Sequence, residues 1–291
     1  MNKHSPAASA AANPLTPSRW PAAPGPGLSD PGAGSQVQGT RCGFSGSKHV
    51  FLGTPFEQVT RDDVLAFLRA AKCEDPFRYI VTPNVDHVVR LNRNPELREA
   101  YDNAWLSLCD SKPLSLLSRL FGLQLTPITG SDLTATIAEN FLSLEDKLTV
   151  VVADEGLAFD LRRKFPRLHV SSYSPPFHFE SDPAAFVACV EFIVAHPARL
   201  ILLAVGAPRS ELLASAVANS GRGKGTALCI GAGLEFLVGR KRRAPKIFRS
   251  LSLEWVYRLA SEPRRLWRRY LGAIAPLLGL VIREYFSRRP R

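Results

Sequence analysis

From residue 48 onward, short β-branched or apolar runs alternate with amphipathic segments of ten to fifteen residues. Several of those segments open on a capping residue or an N1 proline. These two observations predict an α/β fold, a Rossmann-like, mostly parallel sheet flanked by helices. A third observation, a basic and apolar C-terminal stretch, adds a basic helical appendage.

The predicted strands are 78–82, 105–109, 148–153, 169–172, 200–205 and 226–230, each a compact apolar run of strand length. Helical periodicity covers 61–72, 84–92, 95–104, 131–142, 156–165, 183–195 and 209–218. Thr60, Asn94-Pro95 and Asp182-Pro183 supply starts for three of them. At 291 residues with 45% hydrophobic content the chain has ample material for a core. The predicted division is a disordered segment over 1–46, rich in Pro, Ala, Gly and Ser and without the apolar stretch of a signal peptide, then the Rossmann-like domain over 47–245, then the appendage over 246–291. The five cysteines are scattered, odd in number and without a CxxC pair, so neither a disulfide framework nor a zinc site is indicated, and a reducing compartment is expected.

Residues 240–291 hold 15 Lys/Arg against three acids, a local charge of +12, whereas the rest of the chain is nearly neutral at −1. The basic residues alternate with bulky apolar ones through 254–286, a composition that suits an anionic membrane surface better than nucleic acid. The longest apolar run, 271–282, contains Pro276 and is followed at once by Arg283. It falls short of the roughly 20 residues a spanning helix needs, so a peripheral position is expected. Leu271 to Ile282 and the terminal arginines Arg283, Arg288, Arg289 and Arg291 are the expected anchor.

In an open α/β sheet ligands bind beyond the carboxyl ends of the strands, which directs attention to TPNVDH (82–87), CDSKPL (109–114), GAPRSE (206–211) and GAGLEF (231–236). Asp110 has two readings, a general base at the mouth of the crevice or the N-cap of the helix beginning near Pro113. Thr82 and Asn84 either hydrogen-bond a sugar or cap the helix over 84–92. The glycines of 206–208 and 231–233 let a phosphate approach the backbone, or simply join strand to helix. GRGKGT (221–226) lacks the glycine and hydroxyl residue that a phosphate-binding loop requires and reads as a solvated turn. No Asp-x-Asp pair is present to hold a divalent ion on a diphosphate, so neither metal nor other cofactor is predicted. His87 reads as structural.

Taken together, TPNVDH, LCDSKPL, TGSDL (129–133), VGAPRSE (205–211), CIGAGLEFLVG (229–239), RRAPKIF (242–248) and EWVYRLASEPRRLWRRYL (254–271) resemble, in that order, the WecG/TagA/CpsF glycosyltransferase family. The resemblance covers about residues 48–272. It implies an inverting, metal-independent transferase that moves N-acetylmannosamine or another hexose or hexosamine from a UDP donor to a polyprenyl-diphosphate-linked acceptor. The implied setting is bacterial exopolysaccharide or cell-surface polysaccharide synthesis, in the cytoplasm at the inner face of the cytoplasmic membrane. Residue by residue, the family's base falls on Asp110 and its first-loop Thr and Asn on Thr82 and Asn84. The acidic residue of its Gly-Gly-x-Phe-Asp-Phe loop falls on Glu235, and the arginines that contact the donor diphosphate fall on Arg258, Arg265 and Arg268. Fixed guanidinium groups suit that task, since a departing UDP develops negative charge.

The sequence departs from the family in three places. Ser210, which the resemblance makes a substrate-binding candidate, stands where a sugar-contacting glutamine is usual, Ser111 replaces the glycine after the base, and Pro127 takes the place of an arginine. The alternative these departures raise is a sugar-nucleotide-binding regulator on the same fold.

Overall fold

The computed structural model describes residues 47–291 apart from 141, 143–145, 243, 246, 247, 249–253, 262 and 289–291. The disorder expected over 1–46 thus lies outside the described residues. All six predicted strands are present: β3 (Arg78–Val81), β4 (Leu106–Ser107), β5 (Lys147–Val152), β6 (His169–Tyr173), β7 (Ala198–Ala204) and β8 (Gly225–Cys229). They form one sheet in the order β4-β3-β8-β7-β5-β6, with every pairing parallel. Runs such as LILLA in β7 are buried almost throughout because helices cover both faces of the sheet.

One face packs on α1 (Arg61–Ala70), α5 (Gly130–Asn140), α6 (Glu155–Lys164) and the short α9 (Gly233–Leu237), through Leu65, Leu133, Leu161 and Leu234 against Ile80, Val150, Leu202 and Leu228. The other packs on α3 (Pro95–Asp102), α7 (Pro183–Ala195) and α8 (Arg209–Asn219), through Tyr101, Ile193 and Leu213 against Val81, Leu203 and Cys229. The expected caps are in place: Thr60 forms a capping box with Asp63, while Asn94 and Asp182 accept backbone N–H bonds ahead of N1 prolines.

A hairpin of β1 (Lys48–Phe51) and β2 (Thr54–Glu57) precedes the sheet. Its two-residue turn puts Leu52 and Gly53 at φ 51° and 69°. A primed turn needs this left-handed backbone at both positions, and leucine is a poor advertisement for it. GRGKGT, expected as a solvated turn, is exposed at Gly221 and Arg222, but its Gly225 and Thr226 are the buried start of β8, with Gly225 N–H donating to Asp75 O at 2.8 Å, at the opposite end of the sheet from the crevice.

A third cluster joins the hairpin, α2 (Val85–Leu91), α4 (Lys112–Arg119) and the last helix. The C-terminal stretch forms two helices, α10 (Glu254–Ser261) and α11 (Pro263–Ser287), with Pro276 inside the second. Leu277, Leu280 and Val281 pack with Phe51, Val88 and Leu114. Ile274, Leu278, Ile282 and Phe286, at four-residue spacing, are exposed. Two arginines expected to anchor the chain have internal partners instead. Arg283 donates to Asn92 Oδ1 at 2.8 Å, and Arg288 reaches the carbonyls of Phe121 and Val50 at 3.4 and 3.2 Å while pairing with Glu284 at 2.6 Å.

Candidate active site

Adjacent strands β5 and β7 send their connections to opposite sides, to β6 and to β8, which opens a crevice between the loops that follow them. Gly206, in the loop after β7, has φ +81° and leaves open space where a side chain would stand. Three strand spacings away, the loops after β3, β4 and β8 converge on Asp110.

Asp110 is placed by the backbone on both sides. Its N–H donates to Pro83 O at 3.0 Å, and the neighbouring Cys109 accepts from Ile128 N at 2.9 Å. Its carboxylate accepts from the N–H of Gly130, the first residue of α5, at 3.4 Å. Thr129 caps that helix by accepting from Asp132 N at 3.0 Å and donating to Asp132 Oδ2 at 2.7 Å, so TGSDL is the device that aims a helix N-terminus at Asp110. The positive end of a helix favours negative charge there. The capping alternative for Asp110 fails, because the N-cap of α4 is Ser111, whose hydroxyl accepts from Leu114 N at 3.3 Å.

Close packing of glycines brings the remaining loops in. A β-carbon on Gly130 would lie 3.1 Å from Thr82 Oγ1, and one on Gly233 would lie 2.7 Å from Thr134 Oγ1. Thr82 is buried and donates to Cys229 O at 3.3 Å, tying the end of β3 to β8. Asn84 is the N-cap of α2, its Oδ1 accepting from the N–H groups of Asp86 and His87 at 3.0 and 3.4 Å. Both residues therefore set the loop's shape. Glu235 on α9 is held by Lys241, whose ammonium donates to Oε2 at 2.6 Å. Arg240 fixes the same segment to α6, donating to Asp160 in the middle of that helix at 2.6 Å and to its N-cap Asp154 at 2.9 Å. A groove of about 670 Å³ opens beside Pro127, lined by Gln58, Thr60, Arg119, Gln124 and Thr126.

Ser210 is not brought to the crevice. It is 1% exposed and its hydroxyl donates to Leu203 O at 3.1 Å, so the serine that replaces a sugar-contacting residue closes the first turn of α8 onto β7. Arg258 lies in α10, and Arg265 and Arg268 lie in α11, but their side chains fall outside the described part of the structure. No group of three or more His, Cys, Asp or Glu suited to a metal occurs among the described residues.

A buried chain behind the crevice has no counterpart in the sequence reading. Tyr101 OH lies 2.9 Å from His87 Nδ1 and 3.4 Å from Glu211 Oε1. Glu211 is 3% exposed, and its Oε2 has no hydrogen-bond partner among the described residues. Burial pushes its carboxyl up to about 7, against the pull of its own backbone N–H, Tyr101 and Arg90. Because the folded value lies above the ordinary 4.5, the folded chain retains a proton that the unfolded chain has lost. The associated stability is full below the ordinary value and is lost as pH rises through the folded one. Between pH 5 and 8, wild-type stability should fall by roughly 2–3 kcal/mol relative to Glu211→Gln. Denaturant midpoints of the two chains across that range measure it.

Comparison with known proteins agrees with the geometry. The chain is 24% identical over 217 residues to an N-acetylglucosaminyldiphosphoundecaprenol N-acetyl-beta-D-mannosaminyltransferase of Bacillus spizizenii, an alignment covering 73% of this chain and 82% of that protein. The model of the glycosyl transferase WecG/TagA/CpsF family matches residues 49–291, which takes in the sheet, the Asp110 loop and both C-terminal helices. The protein thus belongs to the WecG/TagA/CpsF family of glycosyltransferases.

Proposed function

We propose that the chain transfers a sugar from a UDP donor to a polyprenyl-diphosphate-linked saccharide, with inversion at the anomeric carbon and without a metal ion. The observation that carries this reading is the Asp110 carboxylate, held at the strand ends beside the N-terminus of α5, while Ser111 serves as the N-cap of α4. The Bacillus relative, named for an undecaprenyl-diphosphate-linked acceptor and an N-acetylmannosaminyl group, supports the acceptor class and makes an N-acetylated hexosamine the first donor to test.

In the proposed step Asp110 takes the proton of the acceptor hydroxyl and the oxygen attacks the anomeric carbon. The bond to UDP breaks on the opposite face, and one displacement inverts the centre. Asp110 and the loop after β7 are about three strand spacings apart, roughly 14 Å, which leaves room for an extended donor along the strand ends. Thr82 and Asn84 shape the loop that faces the sugar, and Glu235 serves the ribose once Lys241 yields. Arg258, Arg265 and Arg268 offset the charge that develops on the departing diphosphate. Since guanidinium groups do this work, excess EDTA should leave transfer within about twofold of its untreated rate, as judged by UDP release. A strict requirement for Mn²⁺ or Mg²⁺ would sink the metal-independent mechanism.

The same reading places the protein on the inner face of the cytoplasmic membrane, where its lipid acceptor would lie. No helix among the described residues is long and apolar enough to cross a membrane. The exposed row Ile274, Leu278, Ile282 and Phe286 supports lateral docking instead. Arg288 brings the end of that row beside Val50 and Phe121, and the neighbouring Leu120 is 81% exposed, so the apolar face extends onto the domain. Pro127 and the buried Ser210 favour one second reading, a sugar-nucleotide-binding regulator. Donor binding without transfer to any acceptor would select it.

A further inference from the structure

The mechanism proposed above makes no use of the buried residues Glu211, Tyr101 and His87, yet they join the two loops between which a donor would lie. Glu211 is the third residue of α8 and follows the Gly206 loop directly. His87 sits in the first turn of α2, one of the two residues whose N–H groups Asn84 caps. Tyr101, from α3, is 1% exposed and stands between them, with its ring edge-on to the imidazole at 6.3 Å. Isolated buried carboxylates are costly, and one whose second oxygen has no partner among the described residues calls for an explanation beyond packing.

Proton accounting supplies one. The Tyr101 hydroxyl has a single proton and two neighbours that can accept it. When Glu211 is ionised, Tyr101 donates to Oε1, and His87 must present Nδ1–H to the phenol oxygen. When Glu211 is protonated and donates through Oε1, Tyr101 gives its proton to Nδ1, and His87 carries its own hydrogen on Nε2. One proton at the start of α8 thus selects the tautomer of a ring at the start of α2.

We propose that Glu211 is a positioning residue that acts through Tyr101 to set the His87 tautomer, and so keeps the loop after β3 in register with the loop after β7. Among the described residues, Arg90 and Cys229 bear on the Glu211 carboxyl. Arg90 of α2 pairs with Asp86 at 2.9 Å, and Cys229 of β8 is held as a neutral thiol by burial. The midpoint near 7 places the change where a small shift in pH moves it. The role in transfer rests on the function proposed above, whereas the tautomer linkage does not.

The experiment therefore has two arms. In the first, the full chain labelled with ¹⁵N-histidine is followed by NMR from pH 5.5 to 8.5, with His87→Asn identifying the signal. Wild type should exchange Nε2–H for Nδ1–H as pH rises, and Glu211→Gln and Tyr101→Phe should each abolish that exchange. A His87 tautomer that switches unchanged in Glu211→Gln would overturn the proposal. In the second arm, transfer is followed with a UDP-sugar and a short-chain acceptor. Glu211→Gln, which keeps the shape and neutrality of the protonated acid, should match wild type within about twofold at pH 6 and flatten the pH profile of kcat. Glu211→Leu should lose roughly tenfold or more in kcat/KM at every pH while remaining folded. Equal losses in the Gln and Leu variants, with parallel pH profiles, would reduce the residue to a packing role and refute the positioning claim. Tautomer switching in a chain that transfers no sugar would uphold the network and count against the proposed function alone.

Discussion

Asp110→Asn should lower turnover by ~10²–10⁴-fold, the usual worth of a general base, while leaving the fold and UDP affinity unchanged. The isosteric amide can still accept from Gly130 N–H, so α5 and the loops packed on it keep their places. What is lost is the negative charge and, with it, the ability to take a proton. Ser111→Ala makes the informative control, because Ser111 and not Asp110 caps α4. Loss of that cap should cost about 1 kcal/mol of stability and little turnover at temperatures where the chain stays folded. Turnover of Asp110→Asn near that of wild type would remove Asp110 from the mechanism.

Replacing Ile274, Leu278, Ile282 and Phe286 together with serine should release the protein from anionic vesicles. Each side chain is about half exposed in the free protein, and Leu278 is 57% exposed. Burying the remainder of such a side chain is worth about 1 kcal/mol, so the four together amount to roughly 4 kcal/mol, or about a thousandfold in partitioning. Thermal stability should hardly change, because these residues face away from the cluster that Leu277, Leu280 and Val281 share with α2. Transfer to a short-chain, water-soluble acceptor should persist, and transfer to a long-chain acceptor in vesicles should drop. Vesicle flotation before and after substitution reads the effect; unchanged flotation would place the membrane contact elsewhere. Cutting α11 away is a poorer probe, since it would also strip Leu280 from the core.

Six strands and the main helices were legible because their signals are local: β7 is an unbroken apolar run, and α7 opens on Asp182-Pro183. The hairpin was not, since Leu52 carries none of the chemistry that marks a left-handed turn. Asp110 stood out by its place after a strand, but its competing role as a cap was decided only by the side chain of Ser111 one residue on. Ser210 shows the converse. Position in a motif pointed it at substrate, whereas packing turned its hydroxyl onto Leu203 O. In the tail, charge count suggested that every terminal arginine faces a membrane, yet Arg283 and Arg288 spend their hydrogen bonds on Asn92 and two backbone carbonyls. Residues 87, 101 and 211 meet only through the fold, so no window of sequence could join them.

The most direct measurement is product mass. The purified chain is incubated with a panel of UDP-sugars and polyprenyl-diphosphate-linked saccharides, and the lipid fraction is weighed before and after. Transfer predicts an acceptor heavier by one sugar residue, one UDP released per product, the opposite anomeric configuration to the donor, and none of these with Asp110→Asn. Donor binding with no heavier acceptor in any combination would show that this chain is not the transferase proposed for it.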